Sequence, residues 1–207
     1  MLFRNELKED TTAAIKMIVE GDVRPVMVTG DNAQCGFYIA KACGIVAPGT
    51  EIYLSELDKT SNEVYWVSLS NKTAERLRTK EVIDLCSSRK GSEQPVELAM
   101  TGKAMTIFTQ RGQCKDLLLI TRIFARVQPD QKVQVIEMYI DMGFITGMCG
   151  DGGSPGPRAI NQSFQMNCNS SHFCNKPCHR TYDLADISAQ SMLAWMTDLL
   201  HADPRWQ

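Results

Sequence analysis

The sequence of 207 residues lacks any apolar run of the length needed to cross a bilayer, which is about 18–20 residues. It also lacks an amino-terminal targeting signal, because the opening MLFRNELKEDTT becomes acidic and polar within a few residues. We therefore expect this chain to be soluble, to face the cytosol and not to insert into a membrane.

An excess of charge of one sign is missing as well. The chain has 22 basic and 24 acidic residues and a formal net charge of −2. No strong field therefore favours nucleic acid or anionic lipid, and no partner is indicated. Paired cysteine spacing is absent up to residue 149, which predicts reduced thiols rather than a disulfide framework.

Apolar strand-like runs alternate with helical periodicity through most of the chain, and this pattern predicts an α/β layered fold with a mostly parallel sheet. The predicted domain covers residues 1–153. Its predicted helices are 9–20, 32–43, 73–86, 102–109 and 129–142, and its predicted strands are 23–28, 52–54, 64–69, 96–100, 123–127 and 144–149.

From Ser154 to the end, at residue 207, the sequence changes character. Residues 154–180 are rich in Pro, Gly, Asn and Ser and predict an irregular, largely disordered tail. Residues 183–202 predict a helix with one apolar face.

The tail also contains a cysteine–histidine cluster whose spacing, C-x3-H-x-C-x3-C-H, differs from the C-x2-C pairs of common zinc sites. A zinc-binding or protein-binding module built on this tail stays open as an alternative. The cluster consists of Cys168, His172, Cys174, Cys178 and His179.

Three loops have the residue types needed to handle phosphate and magnesium, and each follows an apolar run. Thr29 and Gly30 supply a hydroxyl and an unhindered amide for phosphate oxygens. Lys132 lies near the start of a helix, where its long cationic side chain can reach back toward the strand ends. Asp151 stands between two glycines and suits a carboxylate that holds a hard cation through oxygen.

The sequences of these loops resemble those in the phosphorylation domain of the P-type ATPases, which belong to the haloacid dehalogenase superfamily. The sequence contains TGDN at Thr29–Asn32, FARVQPDQK at Phe124–Lys132 and GDG at Gly150–Gly152. Three further sequence motifs are similar to those of the P5B group, which are relatives of polyamine exporters. These motifs are VMVTGDN, AKACGIV at Ala40–Val46 and LAMTGKA at Leu98–Ala104. The resemblance extends from about residue 7 to residue 153.

The resemblance implies a Rossmann-like fold, ATP and Mg²⁺ as cofactors, and a late-endosomal or lysosomal membrane pump as the intact relative. It implies that Thr29, Gly30 and Lys132 hold the transferred phosphate. It also implies that Asp151 binds magnesium, and that Asp31 and Arg126 lie near the nucleotide.

Two departures change what is expected of this chain. The family's nucleophile lies in a DKTGT motif upstream of TGD, and the sequence has no such motif there; DKTS at Asp58–Ser61 follows polar residues and is interpreted as a turn. After GDG, Ser154 and Pro155 replace the family's Asn and Asp, and the resemblance stops. We therefore expect a partial, inactive domain whose sheet lacks the nucleophile strand. A free-standing dehalogenase-type phosphatase is the alternative enzyme.

Overall fold

The computed structural model describes residues 7, 9–58, 60–61, 63–70 and 76–147. They belong to two compact units, of which the first contains residues 7 and 19–128 and the second contains residues 9–18 and 129–147. The helices are α1 Thr11–Glu20, α2 Ala33–Ala42, α3 Thr79–Ser88, α4 Gly102–Gln110, α5 Cys114–Leu118 and α6 Pro129–Asp141. The strands are β1 Met27–Val28, β2 Glu51–Leu57, β3 Val64–Ser68, β4 Leu77–Arg78, β5 Val96–Thr101 and β6 Thr121–Ala125.

The first unit is built on one six-stranded sheet with the order β1-β6-β5-β2-β3-β4. The pairs β1–β6, β6–β5 and β5–β2 are parallel, whereas β2–β3 and β3–β4 are antiparallel. The predicted α/β fold with a mostly parallel sheet is confirmed. Because four neighbouring strands run the same way, their carboxyl ends, and the loops that leave them, lie along one edge of the sheet.

Helices cover the sheet because alternate residues of each strand point to opposite faces. On one face, Ala33 and Ala40 of α2 pack with Ile52, Ala99 and Ile123 of three neighbouring strands. Strand β5 turns Leu98 and Met100 the other way, and α3 and α4 contact the sheet through β2, β3, β4 and β5. The two layers explain why four of the six residues of β5 are buried.

Capping side chains fix the beginnings of the helices that lead away from the carboxyl edge. The Asn32 carboxamide oxygen accepts a hydrogen bond from the backbone amide of Cys35 at 2.8 Å. The Thr101 hydroxyl oxygen accepts one from the backbone amide of Ala104 at 3.4 Å. Each bond satisfies an amide that the first turn of a helix otherwise leaves without a partner. The predicted helices at 9–20, 32–43, 102–109 and 129–142 are confirmed to within two residues at each end.

Two predicted elements of unit one begin several residues later in the structure than the sequence suggests. The strand predicted at 23–28 forms only at Met27–Val28, because Pro25 has no amide to donate to a ladder. The helix predicted at 73–86 begins only at Thr79, and Leu77–Arg78 instead pairs with β3. There the amide of Arg78 donates to the Glu81 carboxylate at 2.7 Å, which caps a helix that begins six residues later than its periodicity suggests.

The predicted strand at 144–149 is wrong in the part that the structure describes, since 144–147 form no strand. Gly143 has a φ of 87°, and the amide of Phe144 bonds back to the carbonyl oxygen of Tyr139 at 3.1 Å. The Phe144 ring then packs edge-on against the Tyr139 ring, so this segment closes the end of α6 instead of extending.

Residues 148–207 lie outside the described residues, and so do the predicted tail, its helix at 183–202, the cysteine–histidine cluster and the predicted domain boundary at 153. Across the described ranges, no helix is both long and apolar enough to span a membrane.

Candidate functional site

A set of three backbone hydrogen bonds fixes the TGDN loop to the end of β6. The amide of Thr29 donates to the carbonyl oxygen of Phe124 (2.8 Å), and the amide of Val127 donates to the carbonyl oxygen of Thr29 (3.2 Å). The amide of Arg126 donates to the carbonyl oxygen of Asp31 (2.9 Å). We call these three bonds the loop clamp. The clamp joins two motifs that are about a hundred residues apart in sequence, and it does so at the carboxyl edge of the sheet.

Arg126 adopts a backbone conformation that is unusual for a residue with a side chain. Its φ is 52°, in the left-handed region, where an L-residue other than Asn, Asp or Gly is held at a cost of about 1 kcal/mol. The turn directs the successive amides of Arg126 and Val127 toward the two carbonyl groups of the TGDN loop. The strain at Arg126 therefore serves to complete the loop clamp.

Helix α2 approaches the clamp closely because Gly36 has no side chain. A methyl group at Gly36 would stand 3.4 Å from side-chain atoms of both Ile123 and Thr29. These distances are at the short limit of ordinary van der Waals contact, so the first turn of α2 lies directly against the end of β1 and leaves little room for a side chain at this position. The amino end of α2, where partial positive charge accumulates, thus begins just after the clamped loop.

The clamped loop leaves a hydroxyl donor available to a ligand. The Thr29 Oγ1 atom accepts the amide of Asp31 at 3.1 Å, so the hydroxyl proton itself is directed away from that bond. Gly30 and Asp31 are exposed, and Thr29 is half-buried. A hydroxyl proton, an exposed amide and the amino end of a helix are donors that suit phosphate oxygens. The residues present fit the phosphate-holding role that the sequence predicts.

Of the other predicted site residues, Arg126 belongs to the loop clamp itself. Its backbone amide donates to the carbonyl oxygen of Asp31, and the residue is exposed. Lys132 lies in the first turn of α6, in the second unit, where it is 8% exposed. Asp151, the predicted magnesium ligand, lies outside the described residues. Within the ranges that the structure describes, no three His, Cys, Asp or Glu residues are grouped in a way that could hold a metal ion.

The described residues of DKTS, which are Asp58, Thr60 and Ser61, lie in a turn, as the sequence predicts. The Asp58 carboxylate accepts both the amide (2.9 Å) and the hydroxyl (2.6 Å) of Thr60, and these bonds lower the pKa of the exposed carboxyl group. Asp58 follows β2, which is separated from β1 by two intervening strands. Strands are about 4.8 Å apart, so Asp58 lies about 14 Å along the sheet from the clamped loop. That distance is too long for attack on a phosphoryl group held at Thr29.

Sequence reasoning missed a pair of hydroxyl groups at the same edge. The amide of Thr101 donates to the Ser55 Oγ atom at 2.8 Å, and the two hydroxyl oxygens lie 3.2 Å apart. Ser55 is fully buried, and the pair ties the end of β5 to β2 where α4 begins. The sequence LAMTGKA could have indicated this pair, because a polar TGK follows an apolar run there. A threonine at the end of a strand can cap the helix that follows, and this predicts the junction between β5 and α4.

The chain is similar to P5-type ATPases over 74% of its length. It is 29% identical over 163 residues to a human protein described as probable cation-transporting ATPase 13A4. It is 29% identical over 167 residues to the mouse polyamine-transporting ATPase 13A3, and 30% identical over 163 residues to the chicken probable cation-transporting ATPase 13A4.

These similarities support the interpretation of the matched part of this chain as a fragment of a P5-type ATPase. The chain spans only about one seventh, 14%, of the length of each of these relatives. A search of protein-family models gives no match. The mostly parallel sheet, with the TGDN loop leaving a strand at its carboxyl edge, agrees with the dehalogenase-like phosphorylation domain that the resemblance implies.

Proposed function

We propose that the described residues form part of the phosphorylation domain of a P5-type ATPase that transports cations or polyamines. The loop clamp carries this proposal, because it brings TGDN and the FARVQ strand end together at the ligand-binding edge of a parallel sheet. Similarity to relatives described as cation-transporting and polyamine-transporting supports the same conclusion.

In the whole ATPase, this part would hold the phosphoryl group while an aspartate elsewhere accepts it. The Thr29 hydroxyl would donate to a phosphate oxygen, and the Gly30 amide would donate to another. The clamp would keep both donors in place, so that no reorganisation is needed when charge develops on the phosphoryl oxygens. The side chains of Asp31 and Arg126 would face the nucleotide, and Lys132 would add a fixed cation.

ATP and Mg²⁺ are the cofactors of this proposed activity, and Asp151 is the proposed magnesium ligand. Bound Mg²⁺ would neutralise charge on the phosphoryl oxygens. We place the whole pump in a late-endosomal or lysosomal membrane, with the described part on the cytosolic side. Nucleic acid has no role in this proposal.

A polypeptide of these 207 residues would neither hydrolyse ATP nor transport. The sequence contains no DKTGT motif, and Asp58 of the similar DKTS is held in a turn about 14 Å along the sheet from the clamp. Without a carboxylate in line with the held phosphoryl group, no aspartyl phosphate can form.

Labelling with γ-³²P-ATP and Mg²⁺ tests the inactivity of the 207-residue chain. We expect no acid-stable, hydroxylamine-labile adduct, and no release of p-nitrophenol from p-nitrophenyl phosphate. An adduct that disappears in Asp58→Asn would contradict the proposal and make DKTS a nucleophile. Hydrolysis of p-nitrophenyl phosphate that survives in Asp58→Asn would favour the free-standing phosphatase.

A further inference from the structure

A concave site lies at the amino edge of the sheet, opposite the clamped loop. Its lining comes from the residues that precede β1, β2 and β5 and from the start of β6, and its volume is about 380 Å³. Pro25, Thr50, Pro95 and Arg122 mark those four positions. Small-ligand sites commonly have volumes of 300–1,000 Å³. We call this site the amino-edge cleft; none of the clamp residues lines it.

The polar wall of the cleft is held rigid by a network around Arg122. Its Nε atom donates to both carboxylate oxygens of Glu97 (2.9 and 2.8 Å), its Nη2 atom also donates to Glu97, and its Nη1 atom donates to the carbonyl oxygen of Pro25 (2.9 Å). The neighbouring Arg24 donates through Nη2 to the carbonyl oxygen of Thr121 at 2.9 Å. Both guanidinium groups are thus positioned before any ligand arrives, which lowers the entropy cost of binding.

Arg122 keeps donors for a ligand. Each Nη atom of a guanidinium has two N–H groups, and the bonds to Glu97 and Pro25 use one on each. The second N–H on each Nη atom can donate to an acceptor in the cleft. A carboxylate suits these donors because each of its two oxygens can accept a charge-assisted hydrogen bond.

The charge and polarity of the remaining lining narrow the class of ligand. Asp22 and Glu97 balance Arg24 and Arg122, so the lining has no formal net charge and does not favour a multiply charged phosphate. Half of the lining is apolar and would cover a hydrocarbon body of a few carbons. These apolar residues are Val19, Val23, Pro25, Ile45, Ala47 and Pro95.

We propose that the amino-edge cleft binds a small monocarboxylate with an apolar body, whose carboxylate accepts hydrogen bonds from the guanidinium groups of Arg122 and Arg24. The ligand would lie at the edge of the sheet opposite the clamped loop. It would therefore bind without competing for phosphate or nucleotide.

Titration of the ¹⁵N-labelled full chain with hexanoate tests this proposal by NMR. We expect saturable shifts of the amides of Val23, Ile45 and Thr50, with a dissociation constant on the order of millimolar for so small a probe. Hexylammonium should give no saturable shift at the same concentrations. Saturable binding of both probes, or of neither, would overturn the proposal.

Two variants and a matched control separate recognition from folding. Arg24→Gln should weaken hexanoate binding at least fivefold, and Ala47→Phe should abolish it by filling the cleft, because Ala47 is an exposed lining residue that tolerates a larger side chain. Arg111→Gln removes an exposed arginine at the end of α4 and should leave the affinity unchanged. An Ala47→Phe chain that keeps a native spectrum and still binds hexanoate would contradict the placement of the site.

Discussion

The clamped loop at the carboxyl edge and the cluster around Trp66 are held by different forces. The loop is held by backbone hydrogen bonds, and its side chains are half-buried or exposed. Trp66 is fully buried, its ring stacks on Phe108 with centroids 6.1 Å apart, and its indole N–H donates to the Thr79 hydroxyl at 3.2 Å.

This difference separates the residues that bind from the residues that stabilise. A loop held by its backbone keeps its shape when a side chain changes, so its side chains are available to a ligand. A cluster held by side-chain packing loses both buried area and contacts when one member is truncated. Changes in the loop should therefore affect ligand binding more than stability, and changes in the cluster should do the opposite.

The largest effect is expected for Trp66→Ala. This change leaves a cavity beside Phe108 and removes the bond to Thr79, and it should lower the free energy of unfolding by about 3–5 kcal/mol. Urea titration followed by circular dichroism measures the change. Tyr38→Ala is the matched control: Tyr38 is 69% exposed, and its truncation should cost less than about 0.5 kcal/mol. Equal losses in the two variants would mean that Trp66 does not anchor the sheet.

A smaller loss of about 2 kcal/mol is expected for Glu97→Gln. The side chains of Glu97 and Arg122 are only 18% and 16% exposed, so the change leaves a guanidinium without its charged partner in a partly buried position. A double-mutant cycle with Arg122→Met in urea isolates the coupling between the two side chains. Strict additivity of the two changes would show that the ion pair contributes nothing to stability.

Alkaline pH should reveal the buried thiol of Cys86. Burial is the main cause that raises the pKa of this thiol to about 12 in the folded chain, with the nearby Glu97 carboxylate as a further cause. In the unfolded chain the thiol loses its proton at about pH 9, so the unfolded state binds fewer protons above that pH and stability falls as the pH rises from 9 toward 12.

At pH 10 the loss due to Cys86 should reach about 1.4 kcal/mol relative to pH 8. The Cys86→Ala variant should show a correspondingly shallower decline in urea titrations at the two pH values. Cys35→Ala changes an exposed thiol and serves as the control, with the same decline as the unchanged chain. Identical pH dependence in all three proteins would contradict a buried, protonated Cys86.

The smallest stability effects should come from Arg126 in the loop clamp. Arg126→Gly relieves the left-handed backbone and should change the free energy of unfolding by no more than about 1 kcal/mol, in the stabilising direction. Arg126→Val places a β-branched residue at a φ of 52° and should cost about 1–2 kcal/mol. A larger loss in Arg126→Gly than in Arg126→Val would show that the arginine side chain, and not the backbone, holds the loop.

Much of this fold could be predicted because local signals and tertiary packing agree. Helix α2 has an Asn cap, an apolar face and a glycine after its end, and all three signals point to the same boundaries. Strand β5 and α4 were predicted to within one residue for the same reason. The meeting of the TGDN loop with the end of β6 follows from parallel strands, whose carboxyl ends share an edge.

The remaining features depend on contacts that periodicity cannot encode. Strand β4 has two residues and exists only because Leu77 pairs with Trp66, across a segment whose pattern favours a helix. The left-handed turn at Arg126 is imposed by the two carbonyl groups to which the amides of the turn donate. An arginine at this position therefore does not predict a positive φ. The short helix α5 was missed because five residues contain too little periodicity to detect.

The central claim is that the clamped loop holds a phosphoryl group in a P5-type pump, and a chimaera tests it most directly. The matching segment of mouse polyamine-transporting ATPase 13A3 would be replaced by the segment of this chain that aligns with it, and phosphoenzyme would be measured with γ-³²P-ATP. We expect the chimaera to form phosphoenzyme, and we expect Thr29→Ala to reduce the rate of its formation about 10²-fold. Thr106 on α4 is exposed, and Thr106→Ala is the control that should leave the rate unchanged. A folded chimaera that forms phosphoenzyme equally well with and without the Thr29 hydroxyl would contradict the claim.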